Sequence, residues 1–223
     1  SFKAQAESVV SEVVKADYQI SAAQVFVSPG IPTGLSDELM ALDEVTKLSR
    51  SRATIVGFED RPLILGAVDE DIFELIKTEN IAGSKEEFLK PNAMGVLKQK
   101  AERDNLAIGD EIALTIPEEG KRTFTIEYIF DWTTPPPAEF FLLLENYSFF
   151  SEESLDTEIY FNVKEKNEST QAKLDQIVSD YPGAKLRDQD GLVEEANTQI
   201  QQLLNVIYGF LSISIFVALF GIT

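Results

Sequence analysis

Acidic side chains are the groups in this sequence that could most readily do chemistry. The chain has 38 aspartates and glutamates against 19 lysines and arginines, and it contains no histidine and no cysteine. Two adjacent carboxylates can serve as a general acid and a general base. However, many carboxylates become neighbours by chance, and the sequence lacks the commonest general base, the thiol nucleophile and the usual zinc ligands. We therefore predict that the chain is not an enzyme and holds no cofactor.

The short binding motifs in the sequence are weak. The stretch Asp188-Gln189-Asp190-Gly191 begins like a calcium loop, but it is too short to supply a full set of ligands. We interpret it as the start of a helix that has Asp190 as its N-cap. The glycosylation sequons at Asn146 and Asn167 have a pattern that is short enough to occur by chance. The sequence therefore predicts no catalytic, cofactor-binding or metal-binding residues.

The net charge of −19 limits the partners that the chain can bind. No cluster of lysines and arginines interrupts the acidic sequence, so phosphate backbones and anionic lipid headgroups are both repelled. We expect no nucleic-acid partner, and we expect any contact with a membrane to be hydrophobic. No charged residue follows Glu195, which marks a change of composition near the end of the sequence.

The segment 205–223, NVIYGFLSISIFVALFGIT, has the composition of a membrane-spanning helix. As a helix it extends for about 28 Å, close to the ~30 Å hydrocarbon core of a bilayer. The alternative is a long helix buried in a protein core, which Gly209 and Gly221 would weaken. The residues that we assign to the transmembrane segment include Asn205, Tyr208, Phe210, Phe216 and Phe220.

Two amphipathic stretches are predicted to act as stalk helices, at 190–204 and at 1–15. The first becomes apolar all round towards its end, as a helix entering a bilayer requires. The second has no N-cap and does not begin with Met, so we expect it to continue from a preceding transmembrane helix. We expect the two apolar stripes to pack together, the alternative being that both are exposed. The stripes are Leu192, Ala196, Ile200 and Leu203, and Phe2, Ala6, Val9 and Val13.

Two stretches of the sequence follow the order strand, helix, strand. The first has a strand at 18–27, a helix from the N-cap Ser36 to Leu42, and a strand at 45–58. The second has a strand through Ile159, Phe161 and Val163, a helix with Leu174, Ile177 and Val178 on its apolar face, and a strand at 184–186. Two such units separated in the sequence predict an α+β fold of split βαβ type with an insertion between its halves.

The insertion, 59–155, is predicted to be mainly β with one helix. Strands flank the turn Pro117–Lys121, and the proline run TTPPPAEFFLLL makes an extended connection to a further strand. We expect Trp132 to be a core residue, and one ring of each pair Phe140-Phe141 and Phe149-Phe150 to be in the core. The alternative is that these rings form an exposed surface that contacts a substrate.

The order of these elements resembles that of a known family. It includes "ADYQIS", "GLSDELMALDEVTKLS", "GAVDEDIFELI" and "LAIGDEIAL…TFTIEYIFD", where Gly109-Asp110 supplies a turn before a strand. Together they resemble the MacB-like periplasmic core domain of FtsX-like ABC-transporter permeases. Lys98 in "VLKQKA" and the loop "DWTTPPPAEFF" depart from that pattern. The resemblance implies a porter-like subdomain, 16–58 and 156–189, that contains an inserted sabre-like subdomain, 59–155, between a stalk helix at 1–15 and a stalk and transmembrane helix at 190–204 and 205–223.

The resemblance also implies a function. Members of the family work as dimers with cytoplasmic ABC ATPase subunits, so ATP and Mg²⁺ are expected in that partner and not in this chain. We expect an extracytoplasmic domain of the bacterial cell membrane that couples ATP hydrolysis to movement outside the membrane, a role known as mechanotransmission. An extracytoplasmic protein or a lipid-like molecule is expected as the substrate. The alternative is a binding or adhesion domain held by a single membrane anchor.

Overall fold

The structure, a computed structural model, describes residues 13–22, 30–132, 138–150 and 155–220. The side chains at 199, 215, 216 and 218–220 are not part of this description. The end of the first predicted strand, the proline run and most of the predicted stalk helix 1–15 lie outside the described residues.

Ten strands and six α-helices make up the described part of the chain. The strands are β1 (Tyr18–Ala22), β2 (Val45–Phe58), β3 (Arg61–Val68), β4 (Thr78–Gly83), β5 (Ala93–Leu97), β6 (Glu111–Ile116), β7 (Gly120–Trp132), β8 (Phe140–Leu143), β9 (Asp156–Val163) and β10 (Ala184–Asp188). The helices are α1 (Thr33–Met40), α2 (Ile72–Leu75), α3 (Lys85–Phe88), α4 (Lys98–Asp104), α5 (Glu168–Ser179) and α6 (Gln189–Phe220), with a 3₁₀ turn at Leu144–Asn146.

The two predicted βαβ units interleave in one antiparallel sheet. The strand order is β10-β1-β9-β2, so each unit contributes a strand that lies between the two strands of the other. Apolar residues of α1 and α5, such as Leu35 and Leu174, pack with Ile20 and Phe161 of the sheet. This arrangement buries the alternating apolar side chains of β1 and β9, because successive side chains of a strand point to opposite faces.

The inserted residues form a six-stranded barrel together with the second half of β2. Its ladders run β2-β3-β8-β5-β7-β6 and return to β2, with parallel pairing of β3 with β8 and of β5 with β7. The closure is narrow, because β6 and β2 share a single pair, Gly57 with Thr115. A Cβ at Gly57 would lie 3.1 Å from Thr115 Cβ, so glycine permits this close approach. Strand β4 extends the sheet along the second half of β7.

Aromatic side chains fill a second core, which lies between the barrel and the four-stranded sheet. Trp132 is buried there, as predicted, with Phe141, Phe130 and Tyr160. The prediction for Phe140-Phe141 is wrong, because both rings are buried: Phe140 points into the barrel and Phe141 into this second core. A strand that is covered on both faces buries both members of an adjacent pair.

A buried ion pair lies where β2 passes from the four-stranded sheet into the barrel. Arg52 Nε donates to Asp156 Oδ1 at 2.7 Å, and the two side chains are 6% and 0% exposed. Arg52 Nη1 also donates to Phe150 O, and Ser36 Oγ donates to Asp156 Oδ2. The backbone of Asp156 exchanges two hydrogen bonds with Ile31. Burial raises the pKa of the Asp156 carboxyl, and the hydrogen bond from Arg52 opposes this rise.

Two of the predicted helix caps are wrong. Helix α1 begins at Thr33, and Ser36 lies inside it, where its hydroxyl donates to Thr33 O and to Asp156. Helix α6 begins at Gln189, and Asp188 Oδ1 accepts from Gly191 N at 2.8 Å, so the cap is two residues before Asp190. In both cases the helix begins earlier than predicted, because a Ser or Asp inside the first turn carries the same side-chain oxygen as a cap residue.

We predict that replacing Arg52 by Met lowers the free energy of unfolding by about 3–5 kcal/mol, because Asp156 is left as a buried charge without its ionic partner. Chemical denaturation followed by the fluorescence of Trp132, the single tryptophan, measures the change. The control is Arg50→Met, which removes a pair with Asp69 that is partly exposed and is expected to cost about 1 kcal/mol. Equal losses in the two variants would contradict the importance of burial.

Candidate functional site where the chain enters and leaves the sheet

The chain enters and leaves the four-stranded sheet at the same edge. Strand β1 begins at Tyr18, and its partner in the ladder is Asp188, the last residue of β10. Because the two strands are antiparallel, the residues before β1 and the helix after β10 emerge side by side. Both connections of this domain to the rest of the chain are therefore at one place.

A glutamine side chain joins the two connections. Gln189, the first residue of α6, uses Nε2 to donate to Ala16 O at 3.2 Å and to Val14 O at 3.4 Å. Gln189 thus begins the outgoing helix and also binds the incoming segment. Asp188 caps the first turn of α6 through Gly191, which fixes the direction of the helix at this point.

The incoming segment is also bonded to the chain between α2 and β4. Lys15 N and Ala16 N both donate to Leu75 O, at 2.9 and 2.8 Å, and Lys77 N donates to Val13 O at 2.8 Å. Leu75 ends α2, and β4 begins directly after Lys77. The segment therefore contacts both the four-stranded sheet and the chain that leads into β4.

An arginine anchors α6 to the sheet. Arg187 of β10 is almost completely buried and forms an ion pair with Glu195, two turns along α6, including an Nη2–Oε1 contact of 3.0 Å. Arg187 Nη1 also donates to Ser21 Oγ of β1 at 2.6 Å. An open groove of about 680 Å³ lies beside these contacts, between β10 and α6. The helix is thus fixed to both strands that border the entry and exit of the chain.

A polar network lies on the face of the four-stranded sheet that also carries Arg187 and Ser21. Tyr160 donates its hydroxyl hydrogen to Glu158 Oε2 at 2.8 Å, and Gln19 Nε2 donates to the Tyr160 oxygen at 3.1 Å. Burial raises the pKa of the Glu158 carboxyl, while Tyr160 and the charge of Arg187 oppose the rise. Burial also raises the pKa of Tyr160 well above its ordinary value, so the hydroxyl stays protonated and remains a donor.

Five of the eight predicted stalk residues are described in the structure. Val13 is buried, and Leu192, Ala196 and Ile200 are partly buried, whereas Leu203 is 61% exposed. Val193, which the sequence pattern does not single out, is the most buried of the α6 side chains described. Its position next to the stripe could have been found only by knowing where β10 lies. Phe2, Ala6 and Val9 lie outside the described residues.

The second half of α6 exposes large apolar side chains on all sides. They are Leu203, Val206, Ile207, Tyr208, Phe210, Leu211, Ile213 and Val217, and Phe210 is 67% exposed. Asn205 is exposed as well, and the side chains of Phe216 and Phe220 are outside the description. Within the described residues, no helix has an apolar stretch long enough to cross a membrane. In that part of the chain, no three acidic side chains are grouped so as to hold a metal ion.

Solved structures of other proteins share this architecture. The periplasmic region of MacB from Actinobacillus actinomycetemcomitans matches 90% of this chain and 98% of its own length, with a TM-score of 0.57 and 10% identity. A domain described as part of a permease protein from Porphyromonas gingivalis matches 80% of this chain and 91% of its own, with a TM-score of 0.50 and 15% identity. The extracellular domain of the ABC-type transporter YknZ from Gram-positive bacteria matches 79% of this chain and 100% of its own, with a TM-score of 0.50 and 8% identity.

No protein-family model and no curated protein matches the sequence. The structural matches nevertheless confirm the predicted α+β fold, and they confirm its resemblance to the MacB-like periplasmic core domain. At these identities the likeness concerns the fold alone.

We predict that Glu158→Gln stabilises the protein near neutral pH. A raised folded-state pKa contributes stability that is fully present below the unfolded pKa of about 4.3 and is lost as the pH rises through the folded value. Gln mimics the protonated acid at every pH, so the melting temperature of the variant should exceed that of the native protein at about pH 7 and match it near pH 4. Thermal unfolding at the two pH values measures this difference.

The matched control is Glu165→Gln, which removes an exposed carboxylate after the same strand. Its difference from the native protein should vary little between the two pH values, since solvent screens the group. If Glu158→Gln behaves like this control, the carboxyl of Glu158 is not destabilised by burial.

Proposed function

We propose that this chain is the extracytoplasmic domain of an ABC-transporter permease subunit and that it transmits movement from membrane helices to its own two lobes. The observation that carries the proposal is the junction, where Gln189 binds the incoming segment beside the base of α6. A domain inserted between two membrane helices needs both connections at one edge. The fold supports the same role, because the three similar structures are periplasmic or extracellular parts of transporters or a permease domain.

The partners follow from this role. A cytoplasmic ABC ATPase would bind ATP and Mg²⁺ and hydrolyse the nucleotide, while a second permease subunit, identical or different, would complete the transporter. The domain would lie on the outer side of the bacterial cell membrane. There it would act on an extracytoplasmic protein or a lipid-like substrate. The negative net charge fits a domain that does not lie on the membrane surface, because anionic headgroups repel it.

Helix α6 would serve as stalk and as the start of a transmembrane helix. Its first half is bound to the sheet through Arg187 and Glu195, and its second half exposes apolar side chains on all sides. Large exposed apolar surfaces are normally covered by lipid or protein. Since lipid can surround a helix from every side, the all-round exposure favours a bilayer around 205–223.

Movement of the two stalks together would act on both lobes. A displacement of α6 acts on β10 and β1 through Arg187 and Ser21. A displacement of the incoming segment acts on Leu75 and Lys77, and from there on β4 of the barrel lobe. A helix is stiff along its axis, so two helices that share one junction can shift the domain as a body.

The alternative, a binding or adhesion domain on a single membrane anchor, is not favoured. A single anchor would account for the apolar end of α6. It gives no reason for the incoming segment to be held beside α6 by Gln189 and to the chain before β4 by three backbone hydrogen bonds.

Replacing Ile200 by Asp tests the stalk. Ile200 is partly buried on the predicted apolar stripe, and a charge there should weaken its contact with the neighbouring stalk. In proteoliposomes that contain the complete transporter, we expect ATP hydrolysis to continue while substrate transport falls by about tenfold, the equivalent of ~1.4 kcal/mol of coupling. Parallel assays of phosphate release and transport measure the two rates.

Gln202→Asp is the control, because Gln202 is exposed on the opposite side of the same helix. It adds the same charge and should leave transport and hydrolysis coupled. Coupling that is unchanged in Ile200→Asp would contradict the stalk role, while the folded state of both variants is checked by circular dichroism.

The membrane segment is tested by single cysteines, for which the cysteine-free chain provides a clean background. In a lipid nanodisc, we expect Phe210→Cys to resist a water-soluble maleimide and Thr198→Cys to react. In a denaturing detergent both should react. Rapid labelling of Phe210→Cys in the nanodisc would place this part of α6 outside the bilayer.

A further inference from the structure

Strand β6 has a free edge on the side that faces β2. The hydrogen bond from Ile126 N to Asp110 O shows that the even-numbered residues of β6 bond to β7. The backbone groups of Glu111 and Ala113 therefore point to the other edge. On that edge, the described strands provide only the pair between Thr115 and Gly57. The barrel is thus left open along the first half of β6.

The opening is a groove of about 630 Å³ with an apolar floor and acidic walls. Phe58 and Leu106 lie in it and pack against the barrel core. Four carboxylates also line it, and Lys121 is the one basic residue among the lining residues that are described. The acidic residues are Glu59, Asp60, Asp110 and Glu111.

We propose that this groove binds an extended segment of another protein in which apolar and basic residues alternate. Such a segment would add a strand to β6 by bonding the free N–H and C=O groups of Glu111 and Ala113. Because side chains of a strand alternate between its faces, one set would contact Phe58 and Leu106 while the other faces the carboxylates. This inference does not depend on the proposed transport role.

The charges distinguish this edge from other open edges and from pairing with a second copy. The open edge of β10 borders a groove that mixes Lys185 and Arg187 with Glu194 and Glu195, so it selects no particular charge. A second copy of this chain would bring the acidic walls of one groove against those of the other. These carboxylates would repel one another, so the groove favours a basic partner over a second copy.

The test uses a synthetic fluorescent peptide in which Lys and Val alternate over seven residues, and the whole chain in a neutral detergent. Fluorescence anisotropy at low ionic strength, where surface charges are least screened, should show saturable binding. A peptide with Glu in place of Lys should not bind. The alternating peptide N-methylated at every residue should not bind either, because none of its backbone amides can donate to the β6 edge. Binding of either control peptide as tight as that of the Lys–Val peptide would overturn the proposal.

A variant of the β2–β3 turn separates binding from folding. Glu59 and Asp60 both have positive φ angles, 48° and 60°, which suit Asn-Gly better than the native pair. The double change Glu59→Asn/Asp60→Gly should therefore raise the melting temperature while it weakens peptide binding by about tenfold. Unweakened binding in this folded variant would overturn the proposal.

The matched control is Glu118→Asn/Glu119→Gln, which removes two carboxylates from the β6–β7 turn, where Glu118 also has a positive φ. Neither residue lines the groove, so the affinity should change by less than about twofold. An equal loss of affinity in both double variants would show attraction to the overall negative charge and would overturn the assignment to this groove.

Discussion

The buried ion pair between Arg52 and Asp156 is the interaction on which the rest of the structure depends. It closes the last step of the ladder between β2 and β9, at the residue where β2 leaves the four-stranded sheet for the barrel. Neither charge can be buried alone, so Arg52 must reach Asp156 when β9 pairs with β2. Ser36 binds the carboxyl of Asp156, and Ile31 binds its backbone. The same residue therefore also positions α1. One pair thus sets where one lobe ends and the other begins.

The shared strand β2 explains how two lobes can respond to a single junction. Its first half pairs with β9 and its second half with β3, without a break in the strand. The aromatic core around Trp132 and Phe141 fills the space between the lobes, so little relative movement is possible without exposing it. The proposed movement would therefore displace the domain as a body. The barrel has its shortest ladder between β2 and β6, which share only the pair Gly57 and Thr115.

Local patterns in the sequence predict local structure well. Alternation and β-branched residues indicate β2 with the bounds that the structure has, and the apolar face with Leu174 and Val178 indicates α5. Contacts between distant residues leave no such pattern. Arg52 and Asp156 are 104 residues apart, and nothing around either of them identifies the other. The role of Ser36 shows the same limit, since its hydroxyl looks like a cap in the sequence and instead binds Asp156.

Helix α6 combines two surfaces that need different surroundings. Near its start, Val193 is buried and Glu195 is paired with Arg187, so this half is stable only against the sheet. Past Leu204 every described side chain is exposed, and each exposed Leu, Ile, Val or Phe gives up roughly 1.5–3 kcal/mol that burial would contribute. The apolar half must find that burial outside the domain, while the polar half keeps its orientation through Arg187. Whatever surrounds the apolar half is therefore mechanically connected to β10 and to the whole sheet.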